Sequence, residues 1–79
     1  MLELYRLPGC PFCRKVEQKL SELDLEYIAH DVPASKSQRD EVEAVSGQRG
    51  VPVLIDDEHG VSGMAESADI ITYLEETYA

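Results

Sequence analysis

Residues 7–13 read Leu7-Pro8-Gly9-Cys10-Pro11-Phe12-Cys13, and this stretch separates a predicted strand from a predicted helix. The Pro8-Gly9 pair ends the strand, because proline and glycine favour turns. Pro11 suits the first position of a helix, where its missing N–H would have no partner anyway. The pattern therefore predicts that Cys10 lies at or just before the first helical turn and that Cys13 lies one turn inside it.

Two thiols in this arrangement lie side by side at the start of a helix. Cys10 feels the positive end of the helix, where unpaired N–H groups favour the thiolate, the species that attacks disulfides. Arg6, Arg14 and Lys15 are near in sequence and are candidates to lower the pKa of Cys10 further. Cys13 should be less exposed and have a higher pKa, which suits the resolving thiol that attacks a mixed disulfide on Cys10.

Structural and metal-binding roles explain these two cysteines less well. A disulfide between them would close a very short loop and would constrain the unfolded chain little. A closed zinc site needs four ligands, and the only histidines, His30 and His59, lie singly in a strand and a turn. We therefore predict a redox role for the pair and no metal site.

The rest of the chain predicts an α/β fold. The apolar stripe Phe12, Val16, Leu20 and Leu23 has helical spacing, and the segment ends near residues 24–25. Further along the chain the pattern predicts strands over 2–7, 27–32, 51–55 and 61–62, and helices over 36–46 and from about Glu66-Ser67 to Tyr78. The order β-α-β-α-β-β-α over residues 1–79 predicts a single domain with a four-stranded mixed sheet and three helices, in which the first βαβ unit has a right-handed crossover.

Charge limits the partners of the chain. Its 79 residues carry 16 acidic and 7 basic side chains, a net charge of −9, so nucleic acid and anionic membranes are unfavourable partners. Met1 leads into a mixed strand and no apolar run could span a membrane, so we expect a cytoplasmic monomer. The acidic excess fits either an ordinary acidic protein or one adapted to high salt. Stability measured from low to molar salt separates these, because only the latter gains stability.

Two later segments are candidates for ligand binding. Pro52 begins a predicted strand and cannot donate to its ladder, and the Val51–Pro52 bond is of the kind at which the cis form is cheap. Local sequence favours an ordinary trans proline, whereas a cis bond would leave the Val51 backbone free to pair with an extended peptide. At Glu66-Ser67, the N–H groups of the last helix could bind a carboxylate, or either side chain could cap its own helix.

The CPFC motif between strand and helix, the Val51-Pro52 pair about forty residues later and Glu66-Ser67 before a final helix together resemble the glutaredoxin family of the thioredoxin superfamily. Residues 10–20 and 66–74 are equally similar to the N-terminal, glutathione-binding domain of glutathione transferases. The resemblance implies a thioredoxin-like (glutaredoxin) fold and a cis Pro52. It also implies that Cys10 is the nucleophile and Cys13 the resolving cysteine.

The resemblance further implies a site for glutathione. Val51 would pair through its backbone with the cysteinyl part, and Glu66 and Ser67 would hold the γ-glutamyl end. Arg49, three residues before Pro52, matches a basic position that holds the glycyl carboxylate in glutaredoxins.

We therefore predict a thiol–disulfide oxidoreductase that reduces mixed disulfides of a small γ-glutamyl thiol. Glutathione or an analogue would be the co-substrate, protein disulfides the partners, and no cofactor would be bound permanently. One alternative is a non-enzymatic thiol-binding or iron–sulfur carrier, in which two chains hold a cluster through Cys10. Pro11 and the second cysteine argue against a cluster, and a colourless protein after anaerobic purification would too. Another alternative is an interaction domain without catalysis.

Overall fold

The computed structural model describes residues 2–79, and its elements follow the predicted order. The strands are β1 (Leu2–Arg6), β2 (Tyr27–Asp31), β3 (Val53–Asp56) and β4 (Val61–Met64), and the helices are α1 (Pro11–Glu22), α2 (Asp40–Ser46) and α3 (Ser67–Tyr78). Two short 3-10 turns cover Lys36–Gln38 and Asp57–His59. Within residues 2–79 no helix combines the length and the apolarity needed to cross a lipid bilayer.

The strands form one mixed sheet in the order β2-β1-β3-β4. β1 pairs in parallel with β2 and antiparallel with β3, and β4 pairs antiparallel with β3. Leu4 of β1 lies between Ala29 of β2 and Leu54 of β3 in this register. The predicted four-stranded mixed sheet with three helices is confirmed.

Alternation along the strands divides the buried side chains between the two faces of the sheet. Leu4 and Leu54 belong to one buried cluster, whereas their neighbours Tyr5 and Val53 belong to another, because successive residues of a strand point to opposite faces. The first cluster is completed by α1 and α3, and the second by residues that include Val42 of α2. The sheet therefore separates the α1–α3 layer from α2.

Helices α1 and α3 lie side by side and run in the same direction. Val16 of α1 and Ile70 of α3 are both fully buried in the first cluster. Further along each helix, Lys19 Nζ lies 3.3 Å from Glu75 Oε2. Each of these two residues is eight positions beyond the first residue of its helix. The N-termini of α1 and α3 consequently lie at the same end of the domain.

The predicted helix over 36–46 is wrong in its first half. A 3-10 turn occupies Lys36–Gln38, and α2 begins only at Asp40. Between them Arg39 has φ −98° and ψ 52°, which is not helical, and its side chain is only 4% exposed. The buried guanidinium breaks the helix because it binds backbone carbonyls of the preceding loop.

Two smaller predictions also differ from the structure. Phe12 does not belong to the buried face of α1, since it is 56% exposed, and Cys13 takes the buried position instead. The third strand begins at Val53 rather than at Val51, so Val51 and Pro52 precede the ladder between β1 and β3.

A buried carboxylate joins the end of β3 to the end of α3. Asp56 is 1% exposed, and its Oδ2 accepts hydrogen bonds from Tyr73 Oη and Tyr78 Oη at 2.5 Å each and from His59 Nδ1 at 3.0 Å. Burial by itself raises the pKa of Asp56, but these three donors outweigh burial and the net pKa lies below its usual value. The charged form of Asp56 therefore stabilises the fold.

We expect Asp56→Asn to lower the free energy of unfolding by about 1–3 kcal/mol at neutral pH, because a buried charged acceptor of hydrogen bonds is lost. The folded pKa is depressed, so this contribution is present above the ordinary carboxyl pKa near 3.8 and is lost as the pH falls through the lower folded value. Urea unfolding of both proteins between neutral and acidic pH measures the difference. A difference that stays constant down to the acid limit would contradict the assignment.

Candidate active site

Cys10 is the N-cap residue of α1, as predicted. Its φ and ψ of −76° and 121° are extended, and Pro11 is the first helical residue. The Cys10 N–H donates to the Leu7 carbonyl at 3.1 Å, and the Cys10 carbonyl accepts from the Arg14 N–H at 3.0 Å. Cys10 and Cys13 are not joined by a disulfide; Cys10 is half-buried and Cys13 is buried.

The two thiols have opposite pKa shifts. Burial raises the pKa of Cys10, but hydrogen bonds from the Cys13 N–H, the Cys13 thiol and the Phe12 N–H, together with the positive charge of Arg39, lower it below the ordinary thiol value. Burial raises the pKa of Cys13 to about 11. The first thiol is therefore the one that ionises readily, and the second keeps its proton and donates it toward the first.

Two of the three cations predicted to act on Cys10, Arg6 and Lys15, have other contacts, and none of the three is among the groups that shift the pKa of Cys10. Arg6 forms ion pairs with Glu17 and Asp31, with 2.7 Å between Arg6 Nη1 and Asp31 Oδ1. Lys15 Nζ lies 5.8 Å from the centre of the Phe12 ring. A cavity of about 120 Å³ beside the thiols is lined by Arg6, Leu7, Gly9, Cys10, Cys13, Arg14 and Glu17.

Arg39 is the functional candidate that the sequence did not reveal. Its guanidinium donates to the carbonyls of Pro33 (2.7 Å), Ala34 (3.2 Å) and Arg49 (3.1 Å). All three acceptors are neutral, so these bonds hold the side chain without cancelling its charge. They also tie the loop after β2 to the segment just before Val51. In the sequence Arg39 is one of several polar residues in a predicted exposed helix, and nothing there distinguishes it.

A groove of about 190 Å³ joins most of the predicted ligand-binding residues. The peptide bond between Val51 and Pro52 is cis, the isomer that the resemblance implies. The groove is lined by Phe12, Gln48, Gly50, Val51, Pro52, Ala65, Glu66 and Ser67. Residues from the start of α1 and the start of α3 meet here because the two helices begin at the same end of the domain.

The start of α3 opens onto this groove. Glu66 is the N-cap residue, and its side chain makes no hydrogen bond to the helix, so Glu66 does not cap its own helix. Its carbonyl accepts the Ile70 N–H at 2.9 Å, which begins the helical pattern. The first N–H groups of a helix have no helical partner, and they favour an anion.

Arg49 does not line the groove. Its Nε lies 2.5 Å from Glu43 Oε2 and its Nη2 lies 3.1 Å from Asp40 Oδ1. Its Nη1 donates to the carbonyls of Lys36 and Ser37 at 3.1 and 3.2 Å. The structure thus turns Arg49 toward α2, and its neighbour Gln48 reaches the groove instead.

One group of described side chains could bring three metal ligands together. Single ligand atoms of Asp56, Glu58 and His59 lie within 4.8 Å of one another. Asp56 and His59 already bind each other, with Nδ1 donating to Oδ2 at 3.0 Å. We therefore assign no metal to this group.

The family described as "Glutathione S-transferase, N-terminal domain" matches residues 4–79. The chain belongs to this family. A relative in Clostridium pasteurianum, described as an uncharacterized glutaredoxin-like 8.6 kDa protein in a rubredoxin operon, is 32% identical over 54 residues. These cover 68% of this chain and 72% of that protein.

Solved structures of a glutathione transferase and of a glutaredoxin share the fold of this chain. Glutathione transferase E6 from Drosophila melanogaster has a TM-score of 0.88 and 32% identity, over 100% of this chain and 36% of that one. Glutaredoxin 2 from Salmonella typhimurium, in complex with glutathione, has a TM-score of 0.82 and 24% identity, over 95% of this chain and 33% of that one. The chain spans about a third of the length of these solved proteins. The predicted thioredoxin-like fold is confirmed.

Arg39→Gln should raise the pKa of Cys10, since it removes the buried charge that favours the thiolate. The rate of alkylation of Cys10, followed against pH by mass spectrometry, should then rise at a higher pH than in the unchanged protein. Arg39→Lys, which keeps the charge, is the control and should stay close to the unchanged profile. Identical profiles for the glutamine variant and the unchanged protein, with both folded, would show that Arg39 does not act on Cys10.

Proposed function

We propose that this domain is a thiol–disulfide oxidoreductase of the glutaredoxin type, acting on mixed disulfides of a small γ-glutamyl thiol such as glutathione. The observation that carries the proposal is the difference in pKa between the two thiols of the CPFC motif. Cys10 lies at a helix N-cap with a lowered pKa, and the buried Cys13 has a pKa raised to about 11. A thiolate with a protonated thiol behind it is the state required before attack on a disulfide.

In the first step, the Cys10 thiolate attacks the sulfur of the small thiol in its mixed disulfide with a protein. A new disulfide forms between Cys10 and the small thiol, and the protein sulfur leaves as a thiolate that takes up a proton. In the second step, another molecule of the small thiol can attack the sulfur of the bound small thiol, which forms the disulfide of two small thiols and releases Cys10 as a thiolate. Alternatively, Cys13 attacks Cys10. Attack by Cys13 releases the small thiol, passes its proton to the leaving sulfur and leaves a Cys10–Cys13 disulfide.

The groove supports binding of the γ-glutamyl thiol in a fixed orientation. Val51 precedes the β1–β3 ladder and lines the groove, so its backbone can pair with the cysteinyl part. The open start of α3 at Glu66 and Ser67 can hold the γ-glutamyl carboxylate, and the Glu66 carboxylate can bind the neighbouring ammonium group. The glutathione in the glutaredoxin 2 structure, on the same fold, supports this type of ligand.

The reaction fits a reducing compartment. Glutaredoxins have potentials of about −200 to −230 mV, close to the poise of cytosolic glutathione. We propose that residues 1–79 carry out this exchange as one domain in the cytoplasm, with protein disulfides as the second substrates.

Substitution of each cysteine tests the proposed roles. Cys10→Ser should reduce thiol transfer from a glutathionylated peptide to the uncatalysed background, because the nucleophile is lost. Cys13→Ser is the matched control: it should retain transfer from mixed disulfides, which needs only one thiol, and lose the reduction of intramolecular protein disulfides. A full transfer rate in the Cys10→Ser protein would refute the mechanism.

A further inference from the structure

The groove is lined by a single charged residue, and that residue is acidic. Of its eight lining residues only Glu66 is an acidic or basic residue, and it lies at the start of α3. The other seven lining residues, which include Val51, Pro52 and Gln48, carry no charge. Lys15 Nζ lies 5.8 Å from the centre of the Phe12 ring, but Lys15 is not among the lining residues.

Arg49 is the cation nearest in sequence to Val51 and Pro52, and its side chain is held outside the groove. Arg49 has two carboxylate partners, at 2.5 Å (Glu43) and 3.1 Å (Asp40), and two carbonyl partners in the 3-10 turn over Lys36–Gln38. To reach a ligand in the groove, Arg49 would have to give up these contacts and leave two carboxylates without their cation.

The amide that does reach the groove is also occupied. Gln48 Oε1 accepts the Gly50 N–H at 2.7 Å, and Gln48 Nε2 donates to the Gly50 carbonyl at 2.9 Å. Ser46 Oγ in turn donates to the Gln48 carbonyl at 2.9 Å. The side chain therefore braces the segment before Val51, and a ligand carboxylate beside Gln48 would find no charged donor among the lining residues.

We propose that the groove prefers a γ-glutamyl thiol whose end opposite the γ-glutamyl group is blocked as an amide or ester, and that it discriminates against the free glycyl carboxylate of glutathione. This inference rests on the proposed function and names its substrate class. One carboxylate of the ligand can bind at the open start of α3. A second carboxylate would meet only neutral groups among the residues that line the groove, in a protein of net charge −9.

Comparison of two co-substrates tests the preference. The ratio of kcat/KM for glutathione to that for its glycinamide, each as a mixed disulfide with the same peptide, should lie severalfold below one. A ratio of one or above would overturn the inference. Arg49→Ala should leave the ratio unchanged, whereas a loss of activity confined to glutathione would show that Arg49 does bind the carboxylate.

A gain of function supplies the matched control. The double substitution Asp40→Asn and Glu43→Gln removes both carboxylate partners of Arg49 and frees its guanidinium. The ratio should then shift toward glutathione by about tenfold or more, the usual effect of a hydrogen bond to a charged group. An unchanged ratio in this folded variant would overturn the inference, because Arg49 would not be the cation that the ion pairs withhold.

A binding experiment separates this inference from the proposed function. S-methyl glutathione and its glycinamide cannot exchange disulfides, so their binding to the Cys10→Ser protein by titration calorimetry does not depend on catalysis. We expect tighter binding of the amide. Equal binding, tighter binding of the free acid, or no binding of either compound would overturn the inference. A lack of thiol transfer in the unchanged protein, with the amide still bound more tightly, would refute the proposed function alone.

Discussion

The parallel packing of α1 and α3 on one face of the sheet is the constraint on which the candidate site depends. Val16 and Ile70 are fully buried in the cluster that joins the two helices to β1 and β3. Because both helices begin at the same end, two sets of unpaired N–H groups face one region. The start of α1 lies at the Cys10 thiol, whose pKa is lowered, and the start of α3 opens onto a groove that a carboxylate can enter. Helix N-termini favour negative charge, so both features arise from a single packing arrangement.

An acidic protein is an unfavourable place for another anion, and the local structure compensates for this. The net charge of the chain is −9, yet the pKa of Cys10 is lowered. Short-range donors achieve this: the N–H groups of Phe12 and Cys13, the Cys13 thiol, and the buried charge of Arg39. Arg39 keeps its charge available because its three bonds go to carbonyl oxygens. One of these bonds holds the backbone carbonyl of Arg49, which lies just before the groove residues Gly50 and Val51. The Arg39 side chain therefore links the electrostatics of the thiol with the shape of the ligand site.

Features that depend on local chain chemistry were predictable from the sequence, and features that depend on distant contacts were not. Pro11 places Cys10 at the helix start whatever surrounds it, and alternation along the strands fixes the face of the sheet to which each residue points. By contrast, the position of Arg49 three residues before Pro52 predicts that it lines the groove. Its ion pairs with α2, which turn it away from the groove, form only in the folded chain. The inward turn of Arg39, which ends the helix predicted over 36–46, has no local signal. Nor does the bond from Tyr78 to Asp56, 22 residues apart. Helical spacing places Phe12 in the apolar stripe of α1, yet Phe12 is exposed. Spacing alone cannot show that a residue in the first turn lies beyond the edge of the core.

The central claim is that the two thiols of the pair ionise at different pH, with the pKa of Cys10 below the ordinary thiol value and that of Cys13 raised to about 11. Titration of the thiolate absorbance of the reduced protein in the ultraviolet tests this claim most directly, with the Cys10→Ser and Cys13→Ser proteins measured beside it. The structure predicts a first midpoint below the ordinary thiol pKa, absent from the Cys10→Ser protein, and a second ionisation with a pKa of about 11 that belongs to Cys13. Two midpoints near the ordinary thiol value, or a low midpoint that disappears in the Cys13→Ser protein and remains in the Cys10→Ser protein, would contradict it.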